Sequence, residues 1–183
     1  MTLVNNIQIF LIGKLKEYNL KRKDFAKKIG ISYTAVNQLI NAQRLNPDIA
    51  TILKIAKCCN CTIDKVIGRK IKKDSNKVRN NAPAESEKYK FNDISLEEAL
   101  LNLKNFINKK LKEENLKPKE LSRKIGFSES PIVEFINNTT KSLSTEVILA
   151  LANYFKVSID EMIGRIPPSN QEPQTLEKDK ITN

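Results

Sequence analysis

Histidine is absent from all 183 residues. That removes the commonest general base and the commonest metal ligand, and most hydrolase and zinc-enzyme chemistries with them. Cysteine is scarce as well: Cys58, Cys59 and Cys61 crowd into a single CCNC stretch, an odd number without the paired spacing of a zinc site. A reduced, cytoplasmic protein without disulfides, metal or cofactor is expected. No run is long or apolar enough to cross a membrane. The opening LVNNIQIFLIG has no basic start and is broken by Asn and Gln, so it reads as the first helix and not as a signal sequence. No nucleophile paired with a base and no phosphate loop is visible, which makes an enzyme the weakest class.

What is plentiful is positive charge. The chain carries 32 Lys and Arg against 21 Asp and Glu, a net charge of +11 with a pI near 9.5, a balance suited to polyanionic partners such as nucleic acid. The excess is uneven. Residues 1–69 hold 12 basic and 4 acidic side chains, whereas residues 94–165 hold 11 and 10.

The chain also repeats itself. KLKEYNLKRKDFAKKIGIS from Lys14 aligns with KLKEENLKPKELSRKIGFS from Lys110, and TIDKVIGR with SIDEMIGR at the same offset of 96. Between Lys14 and Arg69, 22 of 56 positions are identical to their partners without a gap. Two copies of one domain are implied, a duplication too long in period for a solenoid. The expected organisation is a first domain at 1–69, a flexible, basic, polar linker at 70–93, a second domain at 94–165 and a disordered tail at 166–183.

Helical periodicity marks five short helices in each copy, with no strand-like alternation, so the fold class is all-α. In the first copy the apolar sets are Ile7, Phe10, Leu11 and Leu15; Phe25, Ala26 and Ile29; Val36, Leu39 and Ile40; Ile52, Ile55 and Ala56; and Val66 with Ile67. Ser95 with Glu98 forms a capping box that starts a helix of about 18 residues in the second copy. Lys-Ile-Gly-Ile-Ser at Gly30 and Lys-Ile-Gly-Phe-Ser at Gly126 read as the same hinge. Glycine ends one helix, an apolar residue plugs the angle, and Ser32 or Ser128 caps the next helix.

These motifs resemble the phage-repressor and Cro-type (XRE-like) helix-turn-helix family. The matching residues are Phe25-Ala26, Gly30-Ile31-Ser32, Ile55-Ala56 and the ending Thr62-Ile63-Asp64-Lys65-Val66. Ile40 and Ala42 stand where the family often has an acidic residue and a glycine. The resemblance implies two tandem five-helix repressor-like helix-turn-helix domains joined by a polar linker. It also implies that the third helix enters the major groove of double-stranded DNA while the second helix's N-terminus sits on the phosphates, and that the protein is a homodimer on a pseudo-palindrome.

The residues themselves agree with that docking for the first copy. With Val36, Leu39 and Ile40 inward, Tyr33, Thr34, Asn37 and Gln38 face outward together as candidate base readers. Lys21, Arg22, Lys23, Lys27, Lys28, Ser32 and Arg44 surround them as candidate phosphate contacts. In the second copy the reading positions become Glu129, Ser130, Val133 and Glu134, and Arg22 becomes Pro118. This copy is expected to bind DNA weakly or not at all, either with Glu129, Pro131, Val133 and Glu134 available for a protein contact or for dimerisation, or as a degenerate copy retained as a spacer.

The leading function is thus a sequence-specific DNA-binding transcriptional regulator. An arrangement with both copies on one operator is a variant of it, opposed by the acidic second face. The rival class is a protein-interaction module, an antitoxin or inhibitor, that touches nucleic acid only incidentally. Cys58, Cys59 and Cys61 align with Tyr154, Phe155 and Val157, so Cys59 and Cys61 are expected to be packing residues.

Overall fold

The structure is a computed structural model that describes residues 2–70 and 91–166. The first copy is α1 (Leu3–Glu17), α2 (Arg22–Ile29), α3 (Tyr33–Ile40), α4 (Ile49–Cys58) and α5 (Ile63–Val66). The second repeats the order as α6 (Leu96–Glu113), α7 (Pro118–Lys124), α8 (Ser130–Ile136), α9 (Thr145–Phe155) and α10 (Ile159–Met162). Among the described residues there is no strand, in agreement with the all-α expectation.

The helices start where the sequence supplies an acceptor for their free N–H groups. Ser32, Asp48, Thr62, Ser144 and Ser158 each cap a helix through the side-chain oxygen. Ser95 and Glu98 close the expected capping box, and α6 runs for 18 residues. The opening apolar run is α1, and Val4, Ile7 and Leu11 are buried on one side of it. Asn6 Nδ2 donates to the Ile67 carbonyl and Asn102 Nδ2 to that of Ile163, both at 3.0 Å, so each copy ties its first helix to its last turn in the same way.

The two copies are packed on one another, and one buried apolar cluster runs through both. The seam between them has an internal two-fold character. Asp64 Oδ2 accepts from the Ile159 N–H at 2.9 Å, and Asp160 Oδ2 accepts from the Ile63 N–H at 2.7 Å. Each carboxylate thereby satisfies an orphan donor at the start of the other copy's last helix. The second oxygen of each holds the arginine five residues on: Asp64 Oδ1 to Arg69 Nη1 and Asp160 Oδ1 to Arg165 Nη1, both at 2.6 Å. The arginines then reach across. Arg69 Nη1 donates to the Val157 carbonyl at 2.9 Å and Arg165 Nη1 to that of Cys61 at 2.7 Å. Every partner pair is reproduced by the offset of 96, which is the self-complementary pattern of a two-fold interface made inside one chain.

The symmetry fails around the Arg165 guanidinium. Arg69 Nε donates to Asn153 Oδ1 at 2.7 Å, but the position equivalent to Asn153 in the first copy is Lys57, which cannot accept, and Arg165 Nε is buried without a partner. The Phe91 ring instead covers that guanidinium, 4.1 Å from its centre. Residues 91–93, expected at the end of a hydrated linker, therefore belong to the fold. The Asn92 N–H donates to the Arg165 carbonyl at 2.8 Å, and Asp93 pairs with Lys57 at 2.5 Å. Ile166, placed in the tail by sequence, is buried, and its N–H donates to the Asp160 carbonyl at 3.3 Å. The remaining expected linker, 71–90, and tail, 167–183, lie outside the described residues.

Cys59 and Cys61 are buried, as their apolar counterparts imply, and Cys58 is half-buried. Burial pushes the Cys59 thiol up to about 11 and that of Cys61 to about 12. Burial also pushes the Asp160 carboxyl up, to about 6, against the pull of the Arg165 charge and the Ile63 N–H.

Removing one member of a buried pair leaves the other charge uncompensated. Asp160→Ala is expected to lower unfolding free energy by about 3–5 kcal/mol, read by urea denaturation near neutral pH. In the native protein a maleimide should modify Cys58 first, with Cys59 and Cys61 reacting only after denaturation, as peptide mapping by mass spectrometry would reveal.

Candidate nucleic-acid interface

The hinge between α2 and α3 fixes the site. Gly30 closes α2 with φ of 74°, a left-handed conformation that side chains resist, although nothing lies within 4 Å of where a β-carbon would stand. The Gly30 carbonyl accepts from Lys54 Nζ at 3.2 Å, so α4 braces the turn. Ser32 Oγ then accepts from the Ala35 N–H at 3.1 Å and starts α3. At the other end of α3, Gln8 Nε2 donates to the Ile40 carbonyl at 2.7 Å. Val36, Leu39 and Ile40 point into the core, which turns the opposite side of α3 outward.

On that side Tyr33 is 53% exposed, Thr34 and Gln38 are exposed and Asn37 is half-buried. The half-burial of Asn37 has a cause that sequence spacing did not show. Arg22, the first residue of α2, donates from Nη1 to Asn37 Oδ1 at 3.2 Å and to Asn41 Oδ1 at 3.4 Å. This orients the Asn37 amide and leaves its NH₂ group as the outward donor. Arg22 therefore positions a candidate base reader, a role beyond the phosphate contact expected for it. Asn41, Gln8 and Lys54 were not singled out by sequence, because each acts through a contact across helices.

The other candidate phosphate contacts divide into two groups. Lys21 at the cap of α2 and Lys23 and Lys27 along it are exposed, and Ser32 is exposed as well with its hydroxyl proton still to donate. Lys28 stands over the Tyr18 ring, 4.1 Å from its centre, and Arg44 pairs with Asp48. Burial would raise the Asp48 carboxyl, but the Thr51 N–H and the Arg44 charge outweigh it and hold it below its ordinary value.

The second copy keeps the hinge and changes its chemistry. Gly126 again has positive φ, at 81°. The expected cap by Ser128 does not form: α8 begins at Ser130, and the position equivalent to Ala35 is Pro131, which has no N–H for a serine to accept from. Glu129 turns back instead, accepting from Arg123 Nε at 2.8 Å with Lys119 Nζ at 3.5 Å. The hydrogen bond from Arg123 holds the Glu129 carboxyl below its ordinary value. Lys119 and Arg123 are the counterparts of Lys23 and Lys27, so Glu129 pairs with cations whose equivalents stand exposed in the first copy. Pro131, Val133 and Glu134 are half-buried, less available for a protein contact than their spacing implied.

The capping difference can be measured. Ser32→Ala should cost about 1 kcal/mol of stability by denaturant unfolding, whereas Ser128→Ala should change it by less than about half of that.

Comparison with known proteins agrees with this geometry. Residues 14–66 match the family described as helix-turn-helix, and residues 107–168 match the Cro/C1-type HTH DNA-binding domain. Two relatives, each described as an uncharacterized HTH-type transcriptional regulator, come from Rickettsia conorii and Rickettsia prowazekii. Both are 44% identical over 78 residues, which is 41% of this chain and 72% and 85% of the respective relatives. No solved structure matches. With the hinge, the five-helix order and the family match all present twice, the chain belongs to the Cro/C1-type helix-turn-helix DNA-binding family, in two tandem copies.

Proposed function

We propose that the protein is a transcriptional regulator that binds double-stranded DNA sequence-specifically, with the first copy as reader and the second as its pairing partner. The observation that carries this reading is the outward row of Tyr33, Thr34, Asn37 and Gln38 on α3, flanked by the exposed Lys21 at the cap of α2 and by Lys23 and Lys27 on that helix. An amide held at Asn37 can donate to a base edge, Gln38 can pair with adenine, and Thr34 offers a methyl and a hydroxyl. The lysines supply the sequence-independent attraction to phosphate. The relatives' description as HTH-type transcriptional regulators supports the regulatory role. Three free thiols suit the reducing cytoplasm, where such a regulator works.

A protein-interaction module would leave the α3 row without a base to read and would bind DNA weakly and without regard to sequence. The two readings part under mutation. Asn37→Ala is expected to cost about 1–3 kcal/mol at one base position and relax the preference there. Lys23→Ala should weaken binding to all sequences alike and lower the salt slope by about 1. Arg22→Met should do both, since it loses a phosphate donor and releases Asn37. Fluorescence anisotropy against a selected duplex and its point variants, at several salt concentrations, measures each effect. Equal binding to every duplex by wild type and Asn37→Ala would favour the interaction module.

A further inference from the structure

A homodimer of this family's kind needs a two-fold pairing of identical domains, and here the two-fold surface is already occupied inside the chain. We infer that one chain, not two, occupies each DNA site, and that the site is accordingly non-palindromic, with a single base-read half. The inference rests on the proposed DNA reading and adds to it the form of the target.

The seam's chemistry selects the partner. Asp64 accepts from the Ile159 N–H at the start of α10, Asp160 accepts from the Ile63 N–H at the start of α5, and Arg69 and Arg165 donate to the Val157 and Cys61 carbonyls, so the bonds that a two-fold pairing would use are already made within one chain. The non-identical positions favour unlike copies over like. Arg69 Nε is satisfied by Asn153; a pairing of two first copies would bring Lys57 to that place, an ammonium against a guanidinium with no acceptor between them. Thr145 Oγ1, wholly buried, donates to the Pro47 carbonyl at 2.5 Å; its counterpart in the first copy is Ile49, which has nothing to donate. The covalent connection adds a local concentration on the order of millimolar, which a separate chain does not reach.

The same two-fold relation that pairs α5 with α10 relates α3 to α8. The position of a dimer's second reading helix is therefore taken by a face carrying Glu129, Val133 and Glu134, on a copy whose charges nearly balance. Glu129 has already drawn in Lys119 and Arg123. Bases beneath α8 are read weakly or not at all, so the inverted repeat that two equal readers impose has no cause here.

The test is selection of binding sequences from random duplex DNA by the full-length protein, followed by native mass spectrometry of the protein with the selected duplex. A single block without inverted symmetry, bound by one 20.8 kDa chain per duplex, is the expected result. An inverted repeat bound by two chains would overturn the inference while leaving the DNA-reading proposal intact. Failure to enrich any sequence would remove that proposal, and this inference with it. Asn153→Lys gives a reading independent of DNA. Placing a lysine at both equivalent positions should open the seam and lower the sedimentation coefficient, with helical circular dichroism retained. An unchanged coefficient would sink the pairing argument.

Discussion

Two aspartates, each capping a helix in the opposite copy, hold the molecule in one arrangement. α5 and α10 are four residues long, too short to persist on their own, and the first free N–H of each is satisfied from across the seam. Burying the carboxylates is costly, as the raised Asp160 shows. The cost is offset because both oxygens are used, one on the partner's backbone and one on the copy's own arginine. The arginines then satisfy carbonyls that the seam would otherwise bury unpaired. Apolar contact alone would tolerate sliding; this exchange of directional bonds does not.

Behind that fixed seam, one hinge serves two different surfaces. Gly30 and Gly126 make the same left-handed turn. Pro131, where the first copy has Ala35, has no N–H to donate, and α8 starts one position later than α3 does, without the serine cap. Glu129 completes the divergence by pairing with Lys119 and Arg123. In the first copy the corresponding position is Tyr33, and Lys23 and Lys27 stay exposed. The hinge and the charge displayed beside it are therefore separable features of this scaffold, altered at few positions.

The repeat, the five helices per copy, the capping box at Ser95 and the packing role of Cys59 and Cys61 were all legible in the sequence. Each of them is local: periodicity, a cap three residues from its acceptor, or alignment of one copy with the other. The candidate reading face was legible for the same reason, since Val36, Leu39 and Ile40 define its opposite side. Arg22 holding Asn37 was not, because the contact joins residues 15 apart on different helices. Nor was the failure of the Ser128 cap, although Pro131 carried the signal in plain view. The absent N–H matters only once one asks which hydrogen the serine would accept.

The sequence by itself determined the duplicated helical domain, its hinge and the concentration of positive charge in the first copy, because these follow from spacing and composition over short distances. Asp64 and Asp160 are present in it, 96 residues apart, as two instances of one motif. That each belongs to the other's helix was decided only by tertiary structure, since a hydrogen bond needs a donor and acceptor within about 3 Å and no local pattern encodes that meeting. The same meeting brings Asn153 to Arg69 and leaves Arg165 Nε without an acceptor, a difference between the halves that appears only when they are packed together.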